Sequence, residues 1–294
     1  MKVKVFAKLN LTLGVGARQG EFHPIDSIAM SVDICDVVEV VARDDRKILV
    51  NDLPQVVREQ NSSYKAAVAF QQAFSSPGVE IYVEKGIPFG AGMGGSSADA
   101  AAVVYCMCKL FGVDVNSQAV RELCARLGSD VNFMLFGGLG RLQGKGDDVT
   151  YLKLAKPLYF ALTTFDCSMS SGEVYSAFDK VSDKKSLFAT PYTKFTTHNS
   201  DTCVQMLTHG NNSRAIGLFC NDLQQATASM NNYADDYISF IRSLGLHCNM
   251  TGSGSAHYVS CVNQDEAERI TELLNANGFT TTLCKSVPSG IIEI

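Results

Sequence analysis

The sequence predicts an α+β protein of two domains, with helices packed on one face of antiparallel sheet. Three features point to it. At 294 residues, 46% of them hydrophobic, the chain is long enough for two buried cores. Its opening stretches are rich in β-branched residues with partial alternation, the pattern of half-buried strands. A run of strand, glycine-rich loop and helix follows, and after it helices and short strands mix rather than alternate regularly.

Residues 3–6, 9–15 and 28–41 read as strands of an N-terminal antiparallel sheet, 61–74 as a helix and 79–83 as a strand. The chain then passes through Pro88-Phe89-Gly90-Ala91-Gly92-Met93-Gly94-Gly95-Ser96-Ser97-Ala98-Asp99 into an Ala-rich helix that stops near Phe111-Gly112, a Gly terminator. A helix over 117–127 and short strands to about 154 complete a first domain, 1–155. In the second, 156–294, we expect a strand over 159–163, a helix over 172–179 and polar loops around 180–185 and 196–200. Helices around 200–209 and 231–244 come next, then strands over 246–250 and 256–262, a helix, and a strand ending at Cys284.

A net charge of −5 and a pI near 5.6 give no basic footprint, so nucleic acid is not an expected partner. No apolar run approaches the roughly 20 residues that span a bilayer, and no signal segment opens the chain, so the expected location is cytoplasmic. The ten cysteines lack zinc or redox spacing and read as reduced core residues.

Glycines at 90, 92, 94 and 95 let backbone approach a phosphate closely, and the helix that follows directs its unpaired N–H groups and positive dipole end at the loop. Ser96 and Ser97 can cap that helix or donate to phosphate. The alternative is a tight strand-to-helix turn. The loop has neither the Gly-Lys-Ser/Thr of a Walker A motif nor the spacing of a dinucleotide-binding fingerprint, so it belongs to another kind of nucleotide loop.

The run Pro-x-Gly-x-Gly-Met-Gly-Gly-Ser-Ser before an Ala-rich helix resembles the ATP-phosphate loop of the GHMP kinases. Lys8-Leu9-Asn10 and Met250-Thr251-Gly252-Ser253-Gly254-Ser255 resemble two further blocks of that superfamily, in the expected order. Nearly the whole chain resembles the branch acting on a cytidine-diphosphate-linked methylerythritol, through Glu21-Phe22-His23, Gly128-Ser129-Asp130-Val131-Asn132-Phe133, Gly144-Lys145-Gly146-Asp147, Ser171-Gly172-Glu173-Val174-Tyr175 and Asn221-Asp222-Leu223. Phe22 stands where that branch usually has Tyr, and Glu21 where it has Gly.

The resemblance implies an N-terminal ribosomal-protein-S5-like domain, a C-terminal ferredoxin-like domain, ATP as co-substrate with Mg²⁺, and a small-molecule acceptor. It implies that Asp130 takes the acceptor proton while Lys8 pairs with it; on residue type alone, Asp130 is equally a helix cap and Lys8 a snorkelling surface lysine. His23 would read the cytosine edge, with Phe22 and Tyr175 sandwiching the ring, and Asn10 and Ser171 would contact the substrate. ATP would lie on Pro88, Gly90, Ala91, Gly92, Met93, Gly94, Gly95, Ser96 and Ser97, with Asn61 at the adenine. Thr251, Gly252, Ser253 and Gly254 would form a second anion-binding loop, or else a plain turn. The residues name no ligands for Mg²⁺ and leave monomer or homodimer open. The rival readings are a GHMP kinase for another small alcohol, such as homoserine or mevalonate, and a catalytically silent ligand sensor; Phe22, His23 and Tyr175 argue against the first, and Lys8 with Asp130 against the second.

Overall fold

The computed structural model describes residues 1–51, 58–185 and 197–294. Its first layer is built on β1 (Lys2–Val15) and β2 (Ile25–Ala42), two long strands paired antiparallel from Lys2 opposite Glu39 to Val15 opposite Ile25. Short β3 (Ile48–Asn51) precedes helix α1 (Ser62–Phe74) and β4 (Val79–Glu84). The chain continues through α2 (Gly95–Phe111), α3 (Gln118–Leu127), α4 (Val131–Phe136), β5 (Leu139–Gly144) and β6 (Asp148–Leu152).

The second part runs β7 (Tyr159–Thr163), α5 (Ser171–Lys185), α6 (Thr197–Thr208), α7 (Asn212–Ile216), β8 (Cys220–Asn221), α8 (Gln224–Met230) and α9 (Asp235–Ser243). It closes with β9 (Asn249–Met250), β10 (His257–Cys261), α10 (Gln264–Ala276), β11 (Thr281–Lys285) and β12 (Ile291–Glu293). One sheet has the order β12-β1-β2-β4-β3, with β5 on β2, β6 on β5, and β8 parallel to β1; the other has the antiparallel order β11-β7-β10-β9.

α2 is buried along most of its length because small Ala side chains let it approach both β1 and β2 and its helical neighbours α1 and α4. Alternation on β7 divides two cores: Phe160 and Leu162 join the large core beneath α2, while Ala161 joins Tyr237, Ile241, Val259 and Ile270 under α9 and α10. The ten cysteines are free thiols, and none is fully exposed. Among the described residues no helix is long and apolar enough to cross a membrane.

Several expectations need correction. Residues 3–6 and 9–15 are one strand, β1, with register shifts at Phe6/Ala7 and Asn10/Thr12 in place of a break. The polar stretch 180–185 continues α5, and 197–200 begins α6; residue 196 lies outside the described residues. The helix expected over 231–244 starts only at Asp235, because the chain turns through 231–234 after α8. β8 and β12 carry the second half of the chain back to β1, so the first sheet is completed by residues beyond 155.

Candidate active site

Lys8 and Asn10 lie two apart on β1 and therefore on one face, between the two register shifts that re-aim this stretch of strand. Lys8 is 4% exposed, and its Nζ donates to Asn10 Oδ1 and stands 3.6 Å from Asp130 Oδ2. Burial of an ammonium demands such partners. Asp130 occupies the position before α4, yet its side chain makes no capping bond, so the helix-cap reading does not account for it.

Asn10 is occupied on every side. Its Oδ1 also accepts from Gly252 N at 3.0 Å, its Nδ2 donates to Ser27 Oγ at 2.8 Å, its N–H donates to Thr251 Oγ1 at 3.1 Å, and its carbonyl accepts from Tyr258 Oη at 2.8 Å. In this state its carboxamide orients Lys8 and the second glycine loop from inside the protein.

The two glycine loops touch. Lys8 N donates to Met93 O at 3.1 Å, Thr251 Oγ1 to Gly92 O at 3.4 Å and Ala256 N to Ala91 O at 3.2 Å. At Gly92 (φ +75°) a Cβ would lie 2.2 Å from the backbone Thr251 O, so glycine is required by both torsion and space; at Gly94 (φ +76°) it would lie 2.1 Å from the flexible end of Met134, and torsion is what favours glycine. Gly94 precedes α2 without any side-chain cap, leaving the first-turn N–H groups directed at the cavity. Ser96 and Ser97 line the cavity and their hydroxyls have no partner among the described residues.

A buried ion cluster ties the two ends of this loop together. Lys85 Nζ, at the end of β4, donates to Asp36 Oδ2 on β2 at 2.5 Å and to Asp99 Oδ2 on α2 at 2.7 Å. Asp36 Oδ1 accepts from Gly86 N at 2.7 Å and Ile87 N at 2.8 Å. Burial pushes the Asp99 carboxyl up to about 7 against the opposing pull of Lys85, with Asp36 adding to the rise. Burial lowers and the two carboxylates raise the Lys85 ammonium, with a net rise.

These groups open onto one cavity of about 750 Å³. Lys8, Asn10, Asp130, Phe22, His23, Ser171, Tyr175, Gly252, Ser253 and the loop from Pro88 to Ser97 all line it. Asn61 instead caps α1, accepting from Tyr64 N at 3.1 Å, and lines a neighbouring pocket of about 240 Å³ with Phe89, Ser96 and Ser97. Of the second glycine loop, Thr251 and Gly254 face inward; Thr251 is spent on Asn10 and Gly92, and Asn221 Nδ2 holds the loop through Met250 O at 2.7 Å and Gly252 O at 2.8 Å. Ser171 Oγ lies 3.0 Å from Ser253 Oγ, joining the start of α5 to that loop.

At the other end of the cavity, the Tyr175 ring stacks on the imidazole of His23 itself, with centroids 5.4 Å apart and planes at 23°. His23 Nδ1 lies 2.9 Å from Gly16 O and Nε2 3.1 Å from Asp179 Oδ1. The face of Tyr175 on which His23 stacks is therefore covered in this conformation, and Phe22 carries Lys145 Nζ 4.7 Å from its ring centroid. Burial, with the negative charge of Asp130 adding to it, pushes the Tyr175 phenol up to about 12.

Sequence reasoning missed Asp36, Lys85, Asp99, Ser27 and Asp179. Only the Asn221-Asp222-Leu223 block signalled the support beneath the second loop.

The family of GHMP kinases N terminal domains matches residues 61–138, and that of GHMP kinases C terminal domains matches 206–279. A 4-diphosphocytidyl-2-C-methyl-D-erythritol kinase of Clostridium tetani is 30% identical over 276 residues, covering 91% of this chain and 93% of that enzyme. The enzyme of the same name from Caldicellulosiruptor saccharolyticus is 30% identical over 296 residues, covering 97% and 98%. A crystal structure of 4-(cytidine 5'-diphospho)-2C-methyl-D-erythritol kinase superposes with a TM-score of 0.76 at 25% identity, covering 98% of this chain and 100% of the other. A homoserine kinase from Cytophaga hutchinsonii shares the fold, at a TM-score of 0.72 and 18% identity over 99% of this chain and 97% of its own. Two matched domains and full-length relatives give one answer: the chain belongs to the GHMP kinases and, within them, to the family of 4-diphosphocytidyl-2-C-methyl-D-erythritol kinases.

Proposed function

We propose that this protein transfers the γ-phosphoryl group of ATP to the 2-hydroxyl of 4-diphosphocytidyl-2-C-methyl-D-erythritol, a step of the non-mevalonate route to isoprenoid precursors. The observation that carries this reading is the presence of Lys8 and Asp130, 3.6 Å apart, in the same cavity as an uncapped helix N-terminus behind a glycine loop. Phosphoryl transfer asks a protein for positioning and charge stabilisation, plus one group for the hydroxyl proton.

In this reading Asp130 accepts the proton of the acceptor hydroxyl. Lys8, fixed by Asn10, orients that hydroxyl and offsets charge at the transferring group. The backbone of Gly90 to Gly95 and the first turn of α2 cradle the phosphates, with Ser96 or Ser97 donating, while Asn61 and the pocket beside it receive the adenine. Tyr175 swings from His23 so that cytosine lies between Phe22 and Tyr175 with its edge on His23. Gly252, Ser253 and Ser171 close the cavity over the polyol. Asn10 acts through Lys8 and the loop rather than on the substrate, and Thr251 and Gly254 support the loop from behind.

ATP-dependent transfer implies Mg²⁺. The free hydroxyls of Ser96 and Ser97 fit an ion held chiefly by phosphate oxygens and water, and among the described residues no acidic, His or Cys cluster forms a separate cage. When bound, such an ion neutralises phosphate charge as it develops. We place the domain division at 155, the protein in the cytoplasm, and its assembly as a monomer or homodimer.

The test is ATP consumption by purified protein against the cytidyl-linked methylerythritol, homoserine and mevalonate. Turnover confined to the first is expected. Turnover on a methylerythritol derivative lacking cytidine at the same kcat/KM would remove the named substrate and leave a kinase of the wider superfamily.

A further inference from the structure

The edge of β1 that faces away from β2 is covered by two short strands that do not meet. β12 pairs with Val3 to Val5 and β8 with Thr12 and Leu13, and among the described residues no strand lies on that edge between them. Lys8 and Asn10 stand in this gap. The backbone groups there take their partners from loops and side chains, because a buried amide left unpaired is costly. Phe6 N donates to Gly290 O at 2.8 Å, Lys8 N to Met93 O at 3.1 Å and Asn10 N to Thr251 Oγ1 at 3.1 Å. The Asn10 carbonyl, beside the register shift between Asn10 and Thr12, accepts from the phenol of Tyr258 at 2.8 Å.

Tyr258 reaches that carbonyl from the other sheet. It lies on β10, opposite Leu162 of β7 and Asn249 of β9, and is fully buried in the large core with its ring edge-on to Phe160 at 5.4 Å between centroids. Burial pushes its phenol well above the ordinary range, so the group stays a proton donor at working pH. Thr251 sits in the loop between β9 and β10, so one hairpin holds both backbone groups of Asn10. The carboxamide of the same residue accepts from Lys8 Nζ, which stands 3.6 Å from Asp130 Oδ2.

From this chain of contacts we infer that Tyr258 is a positioning residue for the chemical step: its hydroxyl fixes the backbone of Asn10 in the uncovered gap of β1 and so sets the aim of Lys8 at the acceptor hydroxyl. The inference deepens the kinase reading above and rests on Lys8 and Asp130 serving the transfer. Tyr258 is absent from the lining of the cavity, so loss of its hydroxyl leaves ground-state binding in place and appears in kcat. A displacement of about 1 Å at a reacting group is enough for a large change in rate.

The experiment is steady-state turnover with ATP, Mg²⁺ and the cytidyl-linked methylerythritol for full-length wild type, Tyr258→Phe, Asn10→Ala and the double variant, with the folded fraction of each taken from urea unfolding. Tyr258→Phe removes a single oxygen and keeps the ring against Phe160. It should lower kcat per folded molecule about tenfold, with both KM values within about twofold. Because the effect passes through Asn10, the double variant should be no more than about twofold slower than Asn10→Ala alone. A kcat for Tyr258→Phe within twofold of wild type, whatever happens to the urea midpoint, makes the bond a structural tie and overturns the inference. So does a double variant in which the two losses multiply. Turnover of homoserine or mevalonate in place of the cytidyl substrate would overturn the substrate reading alone, and the same variants compared on that alcohol would then decide the role of Tyr258 by the same criteria.

Discussion

The two ends of the cavity are built differently. At the phosphate end, the charged and amide groups behind the glycine loop are locked from several directions: Asn10 makes five contacts on four elements, and Lys85 joins β4 to β2 and α2 through two buried carboxylates. At the base end, His23 meets Tyr175 and Phe178 of α5 through ring contacts, Phe22 meets the Lys145 ammonium, and Asp179 of α5 is shared by Arg18 and His23. A rigid phosphate end suits transition-state stabilisation, which gains from groups already in place, whereas a base end closed on itself must open to admit a ring. Substitutions at the first end should therefore cost turnover or stability outright, and those at the second should change KM.

The largest effect expected is that of Asp130→Asn. It removes the proton acceptor while Lys8 keeps its bond to Asn10, so kcat should fall by about 10²- to 10⁴-fold with nucleotide binding retained. Activity within a few-fold of wild type would show that Asp130 only orients the hydroxyl. Next comes Lys85→Met, which leaves two buried carboxylates without their shared cation; a loss of about 3–5 kcal/mol in urea unfolding is expected. Adding Asp99→Asn should recover part of it, since one buried charge is then gone. A Lys85→Met protein as stable as wild type would mean that the cluster does not staple the loop.

How much of this was legible in the sequence follows the same division. The glycine loop could be read because close approach to phosphate requires glycines and hydroxyls in one contiguous run ahead of a helix. Lys85, Asp36 and Asp99 could not, because their partners lie 49 and 14 residues apart, and the pairing of β2 with β4 and the packing of α2 on β2 bring them together. The return strands β8 and β12 span two and three residues, too short for any periodicity to show. The partners of Asn10 were hidden for a related reason. Ser27, Thr251 and Gly252, from two other places in the chain, bond to it, and no local pattern announces them.

A smaller effect should separate the support of the second glycine loop from its surface. His257 is buried in a ring of Phe165, Tyr233 and Tyr237, its Nδ1 lying 3.0 Å from Ser255 O and its Nε2 without a partner among the described residues. Burial pulls its pKa down to about 4. The unfolded chain takes up this proton near 6.5 and the folded one does not, so the folded state loses stability as pH falls from about 6.5 towards 4. Between pH 7 and pH 5 the loss should be about 2 kcal/mol in urea midpoints, and His257→Leu should flatten that limb. An unchanged slope in the Leu variant would assign the acid limb to other groups.

The smallest effect, and the one that most sharpens the contrast between the two ends, is that of His23→Ala. A hydrogen bond to a base edge is worth about 1–3 kcal/mol when the site is preformed. Here His23 already has partners at both nitrogens and a ring stacked on it, so binding cytosine replaces the Asp179 contact and the Tyr175 stack rather than adding to empty groups. The net loss on His23→Ala should sit at the low end, a rise of about tenfold in KM for the cytidyl substrate, with KM for ATP within twofold. Asp179→Ala offers the converse. It frees Nε2, so KM for the cytidyl substrate should fall or hold steady if that contact competes with cytosine, and should rise if Asp179 is needed to aim the imidazole. A drop in kcat for His23→Ala as large as that for Asp130→Asn would place both ends of the cavity in the chemical step and erase the distinction between them.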